Sequence, residues 1–262
     1  MNERFKAAGR RALVTGASSG IGRAIARGLH EMGAEIVLHH FGDAEGAEET
    51  SRSVAGAAVF EADFTRPCAA ARLGQEILSQ CGAIDIVIAN AAIERRVGWT
   101  AASDRHIADH ISANLLSLIE LCQTFIPPMQ ERGWGRVVAI GSVLAERPRA
   151  ETLAYASAKA GQLVALRAIA RDVARMGVTM NVVSPGAIEI EKNAARYADT
   201  SFRDAVVAKI PAGRPGLAED VAGAVLFLCS GAAAYITGAD IPVDGGWTIG
   251  DVPGVLPGEK TG

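Results

Sequence analysis

Residues 11–22 read RALVTGASSGIG, a short apolar run that breaks into a turn carrying Gly16, Gly20 and Gly22. Beyond the turn, Ile21, Ile25 and Leu29 recur at four-residue steps, the spacing of one helix face. The stretch therefore predicts strand, glycine turn, helix. Glycines at a helix start leave the first amides open to a ligand, and the positive end of the helix favours an anion such as a pyrophosphate. The spacing is G-x-x-x-G-x-G rather than G-x-G-x-x-G, and a glycine turn by itself can equally just end a strand. Its place in the first strand–helix turn is what favours dinucleotide binding.

Working outward, residues 35–39 (EIVLH) read as a second strand, 43–54 as a polar helix and 57–61 (AAVFE) as a third strand, in the order βαβαβ. The alternation continues with a helix at 69–80, a strand at 85–89 and a long helix at 104–132, where Pro127 and Pro128 are expected to kink or unwind the chain. A strand at 136–141, a helix at 155–176 and a strand at 179–183 follow, and after them a helix at 218–229 and an apolar stretch at 240–243. Near-continuous Val/Ile strands separated by helices predict an α/β fold with a parallel sheet covered on both faces. The polar segment 191–209 fits an insertion over a site or an ordinary surface helix pair equally well; an insertion is placed at 188–210. The Gly- and Pro-containing tail from residue 250 is expected to be loose or packed on a neighbour, and residues 1–262 read as a single domain.

Composition removes several functional classes. With 49% hydrophobic and 21% charged residues the chain is too apolar to be disordered, and 26 basic against 29 acidic residues leave no cationic excess for nucleic acid. Cys68, Cys81, Cys122 and Cys229 form no C-x-x-C pair and read as reduced, mostly buried thiols. The start lacks a signal-peptide apolar run and no segment is apolar enough for a membrane span, which predicts a soluble cytoplasmic protein. His106 and His110 have the spacing of a helical zinc pair, but Ile107 stands where a metalloprotease needs Glu and no third ligand is apparent. They read as a solvated helix face, and no metal is expected.

Tyr155 and Lys159 are four residues apart near a helix start, so a cation lies beside a phenol on one face. A nearby ammonium lowers a phenol pKa and brings proton exchange toward neutrality. Ser142 follows a strand at the carboxyl edge of the sheet, where ligands of open parallel sheets bind, and its hydroxyl is suited to hold a substrate oxygen. Each feature alone is commonplace; their joint occurrence with the glycine turn gives them weight. Asp63, after the third strand, fits either an adenine contact or a turn Asp.

Together, TGASSGIG at 15–22, Asn114, Ser142, YASAK at 155–159, Pro185-Gly186 and ITGADIPVDGG at 236–246 resemble the short-chain dehydrogenase/reductase family, including its 3-oxoacyl-carrier-protein reductase and sugar dehydrogenase branches. The resemblance implies a Rossmann-like, doubly wound sheet of about seven parallel strands binding NAD(P). It also implies a catalytic tetrad. In it Ser142 holds the carbonyl, Tyr155 is the general acid or base, Lys159 binds the nicotinamide ribose and lowers the tyrosine pKa, and Asn114 holds a water in a proton relay. The implied cofactor contacts are Gly16, Ser18, Ser19, Gly20, Ile21 and Gly22 in the turn, with His40, Asp63 and Phe64 toward the adenosine. Asn90, Ala91, Ala92, Pro185, Gly186 and Ile188 complete the set, alongside Tyr155 and Lys159. The chain departs from the family at Ala92, where a glycine is usual, and at Ile190, where a threonine is usual. Tetramers are common in the family, and the small residues Ala158, Ala160, Ala165, Ala168 and Ala170 suit close helix packing, so a homo-oligomer is expected.

At the end of the second strand, His40 provides neither the acid that selects NAD nor the base that selects NADP, with Phe41 and Ser19 at the other usual basic positions. The balance tips toward NADP, with NAD open. The substrate pocket is expected from 94–99, 143–151 and 188–197, which carry Arg96, Arg147, Glu146, Glu151 and Lys192, more charge than an apolar ligand wants. The leading reading is an oxidoreductase moving a hydride between nicotinamide and a ketone or secondary alcohol, with a 3-oxoacyl thioester or a sugar as candidates. A cofactor-binding protein without useful turnover, such as a redox sensor or structural subunit, and a domain binding another nucleotide are the alternatives.

Overall fold

Along each strand, side chains point alternately to the two faces of the sheet, and here both faces are packed. Leu13, Val37, Val87 and Val137 belong to one apolar core, while Val14, Ile36, Leu38, Ile88, Val138 and Ile140 belong to the other. That double burial is why the strands read as unbroken apolar runs rather than alternating ones.

In the computed structural model, which describes residues 3–250, the order is β1 (Arg11–Thr15), α1 (Gly20–Glu31), β2 (Glu35–His40), α2 (Ala44–Ser53), β3 (Ala58–Glu61), α3 (Ala69–Cys81) and β4 (Ile86–Ala89). It continues with α4 (Asp104–Ile111), α5 (Ser117–Glu131), β5 (Gly135–Ile140), α6 (Leu153–Val173) and β6 (Val178–Pro185). Then come β7 (Ile188–Glu189), α7 (Ala194–Tyr197), α8 (Thr200–Val207), β8 (Gly216–Leu217), α9 (Ala218–Cys229) and β9 (Asp240–Val243). Seven parallel strands form one sheet in the order β3-β2-β1-β4-β5-β6-β9. The sheet is the expected doubly wound one. Its direction of winding reverses between β1 and β4, so a crevice opens at the carboxyl ends of those two strands. β7 and β8 pair separately.

The long helix expected over 104–132 is interrupted, but not at its prolines. Helix α5 continues through Pro127 and Pro128 to Glu131, and the irregular stretch is instead a π-helical turn at Ser112–Leu116, between α4 and α5. A π turn widens the backbone ladder by one residue and frees a carbonyl for other partners. Asn114 sits in that turn and uses it, as described below. The histidine pair is also not a solvated face. His110 is fully buried, its Nδ1 on the His106 carbonyl at 2.8 Å and its Nε2 accepting from the Arg95 amide at 3.1 Å. Of the thiols, Cys122 and Cys229 are buried, Cys81 is half-buried and Cys68 is exposed. Among the described residues, no helix is long and apolar enough to cross a membrane. From residue 251 the Gly- and Pro-containing tail lies outside the described residues.

Candidate active site

The crevice between β1 and β4 is tied together by two side chains and shaped by two glycines. Thr15 Oγ1 donates to the Ile88 carbonyl at 3.1 Å and accepts from the amides of Asn90 and Ala91 at 2.9 and 3.0 Å. Asn90 Nδ2 donates to the carbonyls of Thr15 and Gly16, both at 2.9 Å. A Cβ on Gly16, whose φ is +64°, would lie 2.9 Å from Ala91 Cα, and one on Gly22 would lie 2.3 Å from the Gly16 carbonyl oxygen. Neither position has room for a side chain.

Against this turn lies a cavity of about 340 Å³, lined by Gly16, Ser18, Ser19, Ile21, Gly22, Asp63, Phe64, Asn90, Ala91 and Ala92 among others. A second cavity of about 380 Å³ is lined by Ser142, Tyr155, Lys159, Pro185, Gly186 and Ile188. Both share Ile21, Asn90, Ala92 and Ile190, so the two form one groove. A groove with backbone donors at one end and a serine, phenol and amine at the other fits a dinucleotide whose reacting ring lies beside those groups.

Gly20 lines neither cavity. Its amide donates to Glu191 Oε2 at 3.1 Å, and Glu191 Oε1 lies 3.7 Å from Arg23. The α1 N-cap residue, Ser19, makes no side-chain cap, so this distant carboxylate supplies an anion at the positive end of the helix. Ile190 packs on the same glycine, its Cδ1 3.2 Å from where a Cβ would stand. Asp63 does line the groove, but its Oδ1 is held by the amide and hydroxyl of Thr65 at 2.9 and 2.7 Å in a local turn.

His40 is not in the groove. It shares the strand face of Ile36 and Leu38, so period-two alternation turns it into the protein, where it is buried with Nδ1 unpartnered among the described residues. Its neighbours His39 and Phe41 line the groove instead. His39 Nδ1 accepts from the Gly16 amide at 3.3 Å, Nε2 faces the Ala62 carbonyl at 3.0 Å, and the ring stacks on Phe64 at 4.2 Å. Burial lowers the His39 pKa to about 4, so at neutral pH it is an uncharged strut between the glycine turn and the end of β3. The alternation seen in residues 36–40 was the available signal for preferring His39 to His40.

The other end of the groove rests on β5 and α6. Ser142 follows β5, accepts from the Leu144 amide at 3.1 Å and hydrogen-bonds the Tyr155 phenol. Lys159 is buried one turn along α6 from Tyr155, its Nζ 5.7 Å from the tyrosine ring centre and donating to the Ile140 carbonyl at 2.6 Å. Burial lowers the lysine pKa to about 7. Burial first, then the Glu94 charge, raises the Tyr155 pKa, while Ser142 and Arg96 oppose them. The expected acidification of the phenol by Lys159 is therefore not present in this structure. The ammonium is turned onto a backbone carbonyl, and desolvation drives the lysine itself toward neutrality.

Asn114 is fully buried and lines neither cavity. Its side chain clamps the loop after β4, with Oδ1 accepting from the Ile93 amide and Nδ2 donating to the Ile93 carbonyl, each at 2.9 Å. Its own carbonyl, in the π turn, accepts from Nε2 of the buried Gln162, three residues past Lys159, while Gln162 Oε1 has no partner among the described residues. Gln162 was not singled out from the sequence, because a lone Gln in an Ala-rich helix has no local signature.

The second cavity is closed by the segment from β7 to α8, through Asn193, Arg196, Tyr197, Phe202 and Val206. Of the charged residues expected near the substrate, Arg96 lines this cavity, Lys192 lines the first, and Arg147, Glu146 and Glu151 line neither; Arg149 and Arg196, inside the expected stretches 143–151 and 188–197, line it too, and Trp247 joins the wall from outside them.

Residues 16–248 match the family described as Enoyl-(Acyl carrier protein) reductase. The chain is 38% identical over 239 residues to the 3-oxoacyl-[acyl-carrier-protein] reductase FabG of Escherichia coli, covering 91% of this chain and 97% of the relative. A 3-oxoacyl (acyl-carrier-protein) reductase from Agrobacterium tumefaciens, solved with NADP bound, superposes with a TM-score of 0.86 at 35% identity, covering 92% and 95% of the two chains. A gluconate 5-dehydrogenase from Burkholderia cenocepacia in complex with NADP and tartrate gives a TM-score of 0.86 at 34% identity, covering 95% and 99%.

Proposed function

Because this chain belongs to the short-chain dehydrogenase/reductase family, we propose that it is an NAD(P)-dependent oxidoreductase in which Ser142, Tyr155 and Lys159 carry out the proton chemistry on a ketone or secondary alcohol. The observation that carries this reading is that all three line one cavity continuous with the glycine-turn groove. Bound NAD(P) supplies or takes up the hydride at the carbinol carbon. Ser142 holds the substrate oxygen by a hydrogen bond. Tyr155 gives that oxygen its proton in the reductive direction and removes it in the oxidative one. Lys159 binds the ribose hydroxyls beside the reacting ring, and the Ser142 hydrogen bond opposes the burial that keeps the phenol protonated. Asn114 fixes the loop after β4 and, through its carbonyl and Gln162, links that loop to α6 in the proton relay. Gly16, Gly22, Asn90 and the first amides of α1 hold the diphosphate, with Ala91, Ala92, Pro185, Gly186 and Ile188 along the groove.

NADP is favoured over NAD. Lys192 is a cation lining the adenosine end together with Ser18, Ser19 and Phe41, and its charge is felt at Asp43 just beyond β2. Parallel fluorescence titrations with NADPH and NADH test the binding reading, and a carbonyl and alcohol panel run with the preferred cofactor tests turnover. NADPH binding tighter than NADH is expected, and binding of neither by folded protein overturns the reading.

The substrate is a 3-oxoacyl thioester or a sugar-like polyol. A basic docking face for a carrier protein gains little from Arg132, which is already paired with Asp85 at 3.2 Å. We further place the protein in the cytoplasm as one domain with a lid at 188–210, assembling as a homo-oligomer, the tetramer common in the family. The exposed Leu116, Leu153 and Val164 around α5 and α6 support self-association, and a monomeric mass by light scattering at micromolar concentration would count against it.

A further inference from the structure

Two arginines of the lid stack on aromatic rings of the same segment. Arg203 lies 5.6 Å over Tyr197 and pairs with both oxygens of Glu189 at 2.6 and 2.7 Å. Arg196 lies 4.1 Å over Phe202 and, among the described residues, has no carboxylate in ion-pair reach. The arginine left uncompensated is the one that lines the cavity holding Ser142 and Tyr155. Arg149, from the loop between β5 and α6, lines the same cavity, and its carboxylate neighbour Glu151 is 3.9 Å away. Arg96 also lines it but is matched by Glu94 at 2.7 Å.

A chain with a formal charge of −3 thus presents two weakly compensated guanidinium groups to one cavity. Stacking on Phe202 orients the plane of Arg196 without consuming its donors, leaving the forked edge available to a planar anion. We propose that Arg196 and Arg149 bind an anionic group of the substrate in this cavity. The ligand class is a hydroxy or oxo compound carrying a carboxylate, or a thioester arm carrying a phosphate. The proposal rests on the oxidoreductase reading above only for which end of the ligand reacts.

Tartrate and its uncharged analogue threitol share a four-carbon hydroxylated skeleton, so the pair isolates charge. Both are titrated into the NADPH-saturated protein by calorimetry, with Trp247, which lines the cavity, as a fluorescence reporter. Saturable tartrate binding is expected, with threitol about tenfold or more weaker, as for loss of a charge-assisted hydrogen bond. Arg196→Leu and Arg149→Leu should each weaken tartrate by about tenfold, with Arg196→Lys recovering part of the loss, because the charge remains while the fork is lost. Pantetheine 4′-phosphate forms a second arm. If it binds tightly and depends on the same arginines while tartrate does not bind, the anion is a carrier-arm phosphate; the reverse assigns a free acid.

Absence of saturable binding by both anions, or unchanged affinity in folded Arg196→Leu and Arg149→Leu proteins, overturns the proposal. Equal binding of threitol and tartrate does so too. Failure of the oxidoreductase reading is visible separately, as no turnover of the carbonyl and alcohol panel by the NADPH-saturated protein, and leaves the tartrate titration interpretable.

Discussion

On one side of the groove, Ser142, Tyr155 and Lys159 stand at the end of β5 and the start of α6, with Lys159 buried and each group held by a defined partner. On the other side, the segment from β7 to α8 presents Glu191, Lys192 and Arg196 as exposed charges, with Glu191 reaching across to the amide of Gly20. The first wall spends burial to set proton affinities, because desolvation is what moves the Tyr155 and Lys159 pKa values. The second wall keeps its charges close to water, where they meet a ligand without a large desolvation cost and can rearrange when one arrives. Substitutions in the first wall should therefore change turnover, and those in the second should change affinity.

The sharpest break in that comparison comes from Tyr155→Phe, which should lower kcat by about a thousandfold or more while NADPH affinity stays within a few-fold. Steady-state kinetics and a fluorescence titration on the same preparation check both halves. Lys159→Met should cost about a hundredfold in turnover and yet stabilise the cofactor-free protein at pH 7. Its sign follows from linkage. The folded pKa of Lys159 is lowered from 10.5 to about 7, so the unfolded chain takes up the proton first and stability is lost as pH falls through that window. In the methionine variant that part of the pH dependence disappears, as urea unfolding at a series of pH values would show.

His39 should behave the same way lower on the pH scale. Its pKa is lowered from 6.5 to about 4, so its contribution is intact above pH 6.5 and is lost as pH falls toward 4, on the order of 3 kcal/mol in all. His39→Asn should flatten the stability curve over that range, and a slope unchanged from the parent would show that other groups cause it. The smallest effect belongs to the second wall. Glu191→Gln removes an anion from the helix end that a diphosphate needs, and should tighten NADPH binding by a few-fold, about 0.3–1 kcal/mol, with kcat little altered. Weaker binding in that variant would mean that Glu191 supports the bound cofactor rather than competing with it.

The reading of residues 11–22 survived because strand, turn and helix are local, and because the side chains of Gly16 and Gly22 are excluded by their immediate surroundings. The spacing of Tyr155 and Lys159 was equally legible, since four residues along a helix place two side chains on one face whatever surrounds them. His40 was placed wrongly because a position at a strand end was weighed above the alternation of the strand that contains it. The unwinding expected at Pro127 and Pro128 was placed wrongly for a related reason. Helix α5 carries Pro127 and Pro128 without ending, whereas the π turn at Asn114 is held by Ile93 and Gln162, both distant in sequence.

By itself, then, the sequence determined the order of strands and helices, the parallel sheet, the glycine turn and the residue types available for proton transfer, because each follows from a period or spacing within about twenty residues. Only the tertiary structure decided which charges stay unpaired and where the proton affinities lie. Glu191 meets the amide of Gly20 across 171 positions, Lys159 meets the Ile140 carbonyl across 19, and Arg203 rather than Arg196 receives Glu189. Such pairings depend on how separate elements pack and how much water they exclude, and no local pattern encodes that.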